Sequence, residues 1–377
     1  MRKILLIILI FSMIFTTACW DMIDVNDRIF PYSVGIDLND KENEERFLVN
    51  FSYPNINAIG SEATSDIKSF MISSQANNIF DAMDNLSNKI QNPIYLKHLK
   101  VLIVSEEVAK DPDFMREIIG GLDRDYIMNK MIDLLVVKNS AKEFTKIKVD
   151  STRQESVGGV LHELLRNEQR STKFTPKTLN MFIKDMDNSS ASTIPVGMES
   201  KESAGIMING GAIFKDYRLV GYVDGVENRD IAILTGDASQ AEIDIDFHGK
   251  GLSLLINRIK STKELVDKES LKIKFNIEME GQLHQYTMED GLTDEESDQL
   301  LQEMELSVKE HIEESLSETI NKLQNELYSD VLGISSYLSK FHPNLWDTIK
   351  DDWDNIYSNI DIEPDVEMHI RRRGLIK

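Results

Sequence analysis

Leu271 to Met279, LKIKFNIEM, alternates strictly: Leu271, Ile273, Phe275, Ile277 and Met279 fall on one face, and Lys272, Lys274, Asn276 and Glu278 on the other. Successive side chains of a strand point to opposite faces, so this period of two predicts a half-buried strand. Downstream, Thr293-Asp294-Glu295-Glu296 matches a capping box, in which the threonine hydroxyl and the glutamate three residues later each satisfy a free amide. Leu301, Met304, Val308, Ile312, Leu316, Ile320, Leu323, Leu327 and Val331 then recur every three or four residues until Gly333. Such a stripe is usually a core face laid on a sheet, with partner docking or coiled-coil pairing as its other uses. Strand and stripe together predict a C-terminal sheet packed by a long helix.

Around them, strands are expected at Glu242 to Phe247 and Leu252 to Lys260, a helix at Asn344 to Ser358 with Trp346 and Trp353, and a final strand at Ile362 to Ile370. Gly205 to Lys215, Asp216-Tyr217 and Arg218 to Val223 read as a hairpin. Towards the N-terminus, strands are expected at Tyr32 to Leu38 and Glu45 to Tyr53, the second half-buried. A helix at Ala76 to Gln91 and strands at Ile94 to Ser105 and Met131 to Lys138 follow. The end of Ile94 to Ser105 is a continuous apolar run, as in central strands covered on both faces. Residues 151–187 read as helical, and Asp187 to Ser203, rich in Ser, Gly and Pro, reads as a loop or linker.

These elements define an α+β (mixed α/β) chain of three domains: an N-terminal mixed α/β domain over 31–145, a small helical domain and linker over 146–202, and a C-terminal α+β domain over 203–377. Single cores stop growing at about 250–300 residues, which agrees with several domains in a chain of 377. With 41% hydrophobic and 28% charged residues, a folded chain is expected rather than a disordered one.

Residues 1–18 read as a lipoprotein export signal. Arg2 and Lys3 precede an apolar run from Ile4 to Phe15, and small Thr17 and Ala18 precede Cys19, the only cysteine. Cys19 would carry the lipid, and residues 19–30 would form a tether. The run is shorter than the roughly 20 apolar residues of a spanning helix. An ordinary secretory signal would leave one unpaired thiol in an oxidising compartment. Thr16 departs from the leucine usual three residues before such a cysteine. The formal net charge of −22 repels nucleic acid and anionic lipid alike, so membrane residence would come from acyl chains.

The sequence carries few motifs of catalysis or metal binding. The histidines (98, 162, 248, 284, 311, 342 and 369) form no HExxH and no adjacent pair, and His162-Glu163 is followed by Leu164-Leu165-Arg166 with no second ligand. No metal and no other cofactor is expected. There is no GxSxG elbow, Walker loop or GxGxxG. Gly210-Gly211 reads as close backbone packing, and Asp244 and Asp246 as the solvated face of a strand. Nothing positive supports an enzyme.

Several segments together resemble the Ger(x)C family, the lipoprotein C subunits of bacterial spore germinant receptors. These are Cys19-Trp20-Asp21, His98 to Glu107, Leu122-Asp123-Arg124-Asp125, Gly210 to Asp216 with Leu219-Val220-Gly221, Asp330-Val331-Leu332-Gly333, Trp346, Trp353, and Arg372-Arg373-Gly374. The resemblance implies a mixed α/β protein of three domains without catalytic residues, lipid-anchored on the outer face of the inner spore membrane. It also implies two partners, the integral membrane A and B subunits of the receptor, one resembling amino-acid transporters. Only Cys19 carries over as a functional residue. On this reading the chain binds no free nutrient tightly. The alternative is a solute-binding lipoprotein serving a transporter, which would need a ligand cleft between two domains.

Overall fold

The computed structural model describes residues 28–39, 44–55, 69–126, 128–147, 156–166, 172–200, 205–286 and 294–371. Its first half is a mixed sheet. Strands β1 (Ser33–Leu38), β2 (Phe47–Pro54) and β3 (Ser69–Ala76) precede helix α1 (Ile79–Ser87). Then come β4 (Val101–Ser105), α2 (Glu106–Ala109), α3 (Pro112–Arg124), β5 (Asp133–Val137), α4 (Ala141–Thr145), α5 (Val157–Arg166) and α6 (Leu179–Ser189). Strands β6 (Ala191–Glu199), β7 (Ile206–Lys215) and β8 (Arg218–Val223) complete an eight-stranded sheet in the order β3-β2-β1-β4-β5-β6-β7-β8.

The centre of this sheet is parallel, β1 with β4, β4 with β5 and β5 with β6, while both flanks are antiparallel. Helices cover both faces. Leu102 and Val104 of β4 join a cluster with Met115 and Ile119 of α3 and Phe182 of α6. Val101 and Ile103 join a cluster on the opposite face with Leu161 and Leu165 of α5. That two-sided burial is why the strand reads as unbroken apolar sequence.

The second sheet follows α7 (Gly225–Thr235). Strands β9 (Ala241–Phe247), β10 (Lys250–Asp267) and β11 (Lys272–Gln285) form a meander, and β12 (Ile362–Arg371) returns parallel to β11, giving the order β12-β11-β10-β9. Between β11 and β12 lie α8 (Asp294–Asn325), α9 (Ile334–Phe341), α10 (Pro343–Ile349) and α11 (Trp353–Tyr357). Met304, Val308, Ile312, Leu316, Ile320 and Leu323 of α8 share one buried cluster with Ile273, Phe275, Ile277 and Met279 of β11. The expected sheet packed by a long helix is present, and the mixed α/β class with it. Thr293 of the expected capping box lies outside the described residues.

Local chemistry explains the element ends. Asn78 accepts from the amide of Asp81 and Asp111 from those of Asp113 and Phe114, so α1 and α3 begin on capped amides. Asp216 and Tyr217 both have positive φ, 49° and 68°, which matches the twist of a two-residue hairpin turn between β7 and β8. At Gly210, with φ +73°, a Cβ would lie 2.2 Å from the carbonyl oxygen of Val223. The glycine pair therefore marks close backbone packing, as expected.

Several expectations need correction. The segment read as a linker contains β6, most of it buried, because Ser192 and Thr193 sit inside the sheet and the Ser189 hydroxyl bonds to the carbonyls of Asp185 and Ala191. Helices α5 and α6, assigned by sequence to a small helical domain, pack on opposite faces of the eight-stranded sheet. That sheet runs from residue 33 to residue 223, and so takes in β7 and β8 from beyond position 203. Ile94 to Ser105 is not one strand: Ile94 pairs alone with Ile29, Leu96–His98 make a 3-10 turn, and pairing resumes at Val101. Strand β2 is covered on both sides, since Asn50 and Ser52 are also buried. The long helix stops at Asn325, and Leu327 reaches the core from the turn beyond it. The helix expected over Asn344 to Ser358 is broken by a 3-10 turn at Lys350–Asp352.

Candidate functional site: the seam between the two sheets

The two sheets meet along α7, which packs on β7 and β8 on one side and on β10, β11 and α8 on the other. Its N-terminus is a full capping box: Asp224 accepts from the amides of Val226 and Glu227, and the Glu227 carboxylate accepts from the Asp224 amide. One turn further, Asp230 is fully buried. Its carboxylate accepts from Arg229, from the Ser315 hydroxyl and from the Thr319 hydroxyl at 3.1 Å, the last two on α8. Lys322, also on α8, donates to both carboxylate oxygens of Glu227 at 2.7 Å. The seam is thus pinned by the Lys322–Glu227 pair and by the two hydroxyls on Asp230, as well as by apolar contact.

Below it opens a cleft of about 620 Å³. One wall is the end of α6 and the β7–β8 turn; the other carries Tyr328, Asp330, Trp346, Trp353 and Tyr357. Lys215 and Asp354 close across it at 2.7 Å. Asp330 accepts from the amides of Ile334 and Ser335 at 2.9 and 2.7 Å and so starts helix α9. Burial nevertheless pushes its carboxyl up from the ordinary value, and burial likewise holds the Tyr357 phenol well above its own. The Tyr357 hydroxyl and the Trp353 Nε1 are buried with no hydrogen-bond partner among the described residues. Gln324 of α8 donates to the carbonyls of Tyr357 and Ile360 at 2.8 and 3.0 Å, joining the long helix to the chain entering β12.

The chemistry of this arrangement is that of a joint. Among the described residues no group of three or more His, Cys, Asp or Glu could hold a metal ion. His162 bonds Asp133 at 2.8 Å and fastens α5 to β5. Asp244 and Asp246 are exposed, as read. Cys19 lies outside the described residues, as do Arg372, Arg373 and Gly374. No described helix is long and apolar enough to cross a membrane. Asp230, which holds the seam, and Asp330, which starts α9 beside the cleft, are not singled out from sequence as functional. The available signal was a lone acid set directly before the apolar run Ile231 to Leu234, and an acid three residues before a glycine that ends a helical pattern.

Residues 21–197 match the family described as "Spore germination protein N-terminal domain", and residues 209–374 that described as "Spore germination B3/ GerAC like, C-terminal". The chain is 23% identical to "Spore germination protein YndF" of Bacillus subtilis (strain 168), over 99% of this chain and 97% of that one. It is 21% identical to "Spore germination protein B3" (98% and 97%) and 22% identical to "Spore germination protein KC" (99% and 97%), both of the same organism. The fold resembles the "Crystal Structure of the GerBC protein", with a TM-score of 0.54 at 17% identity, covering 91% of this chain and 99% of that one. Two family matches that together run from residue 21 to residue 374, with full-length relatives of one kind, lead to one conclusion: the chain belongs to the Ger(x)C family of spore germination proteins.

Proposed function

We propose that the chain is the non-enzymatic C subunit of a spore germinant receptor, held on the outer face of the inner spore membrane by lipid on Cys19 and acting with the integral membrane A and B subunits. The observation that carries this reading is the family membership across both halves of the fold. The seam adds a physical role: the buried Asp230 carboxylate held by the Ser315 and Thr319 hydroxyls, together with the Lys322–Glu227 pair, joins the two sheets into a unit suited to hold or relay the position of membrane partners. The relatives are spore germination proteins, which leaves the solute-binding alternative without support.

Capture of the native chain from detergent-solubilised spore membranes tests the partner half. Two polytopic membrane proteins should come down with it in fixed proportion, and recovery of the chain alone would remove the receptor reading. Mass spectrometry of the mature N-terminus tests the anchor. A diacylated Cys19 is expected, and Cys19→Ala should release the chain from the membrane or block its processing. An unmodified cysteine, or cleavage elsewhere, contradicts the anchor.

A further inference from the structure

The described chain begins at one end of the strands of the eight-stranded sheet, which forms an edge of the molecule. Ile29 bridges Ile94, and the carbonyl of Tyr32 accepts from the amides of Lys100 and Val101. The Asp133 amide donates in turn to Lys100, and the Leu179 amide to Ile132. Strands β1, β4 and β5 all start along this row because they are parallel. Strand β2 ends here and β3 begins here, with Tyr53 opposite Phe70. Between Cys19 and Arg28 lie nine residue steps, at most about 30 Å of extended chain. A lipid on Cys19 therefore keeps Arg28, where the described chain begins, within about 30 Å of the bilayer surface.

The edge is also unusual in composition. Tyr126 is 92% and Met131 60% exposed, Met181 is exposed at the start of α6, whose Leu179 amide bonds Ile132, and Phe70 is exposed at the same end of β3, four strands along the row. Lys89, Lys97 and Arg124 are exposed where the chain enters or leaves the row, and Lys130, also exposed, pairs with Asp123, in a chain whose formal net charge is −22. Exposed aromatic and sulfur side chains ringed by cations are what an interfacial surface needs: rings and thioethers enter the headgroup layer, and cations meet lipid phosphates. The rest of this acidic chain is repelled by the same surface, which selects one orientation.

We propose that this edge, from Phe70 across Tyr126 and Met131 to Met181, lies against the anionic surface of the bilayer, so that the strands of the first sheet rise away from the membrane. The proposal rests on the Cys19 anchor. Its test uses the acylated full chain in phosphatidylglycerol–cardiolipin vesicles containing brominated lipid. An environment-sensitive fluorophore is placed on Tyr126→Cys, Met131→Cys or Asn139→Cys, the last an exposed site at the opposite end of β5. Acylation is read on the same samples by mass spectrometry, and melting curves matching the parent establish that each variant folds.

Labels at 126 and 131 should be quenched severalfold more than the label at 139, and the difference should shrink in Lys97→Glu/Lys130→Glu and at high salt. Equal quenching at all three positions on a chain shown to be acylated overturns the orientation and leaves the anchor standing. An unmodified Cys19 overturns the anchor, and the orientation goes with it because the short tether was its geometric basis.

Discussion

Leu316→Ala probes the packing on which the C-terminal half depends. Leu316 is 0% exposed and sits mid-helix on α8, in one cluster with Phe275 and Ile277 of β11 and Leu254 of β10. Removing its outer carbons forfeits roughly 2 kcal/mol of transfer free energy and leaves a cavity that a sheet on one side and a helix on the other cannot close. The expected cost is therefore about 3–5 kcal/mol. An unfolding entropy of about 2.1 cal/mol/K per residue makes each kcal/mol worth roughly 1.3 °C in a chain of this size, so the thermal midpoint should fall by about 4–7 °C. Leu306, on the same helix and 55% exposed, supplies the control; Leu306→Ala should stay within about 0.5 kcal/mol of the parent. Circular dichroism or calorimetry of residues 20–377 reads both. Equal midpoints for the two variants would refute the core assignment, and a loss of membrane-partner binding at an unchanged midpoint would make the stripe an interface.

Asp230→Ala should destabilise by about 3–5 kcal/mol, because it leaves the Arg229 guanidinium buried at the seam without its carboxylate; a chemical denaturation midpoint like the parent's would count against the seam. Asp111→Ala should cost about 1 kcal/mol by uncapping α3, read by the same denaturation. Asp365 is held below its ordinary value, first by the hydrogen bond from Lys274 and further by Lys309. A carboxyl lowered on folding contributes stability that is present above its unfolded value and lost as pH falls through the folded one. Asp365→Asn should therefore make the fall in thermal midpoint on acidification below about pH 4 shallower. The change should be small and should vanish in salt, because the pair is half-exposed; an identical acid limb would show that the contact contributes nothing.

Sequence was most legible where one face is buried and the other solvated. The period of two in β11 and the stripe of α8 each report a single core surface, and both elements are present and packed together as expected, although the strand runs on to Gln285 and the helix stops at Asn325. The hairpin of β7 and β8 was legible for a similar reason, a polar break between two apolar runs. Legibility failed where a polar residue is buried because its neighbours satisfy it. Ser192 bonds to Asp185, which also pairs with Lys177, so a strand inside the sheet reads as a polar loop. Asn50, buried among Asp37 and Ser73, hides a two-sided strand behind an apparent alternation. The seam acids are the same case: Asp230 gains its meaning from Ser315 and Thr319, more than eighty residues away. Strand β3 and helix α7 were not anticipated. Helix α7 buries residues nearly all round, and so lacks a one-sided stripe.

The receptor reading is tested most directly in dormant spores. In a strain lacking redundant receptors, deletion of this chain should abolish or blunt germination triggered by one class of nutrient and leave triggers that bypass receptors intact. Nutrient-triggered germination at the parental rate in that strain would contradict the role proposed for the chain.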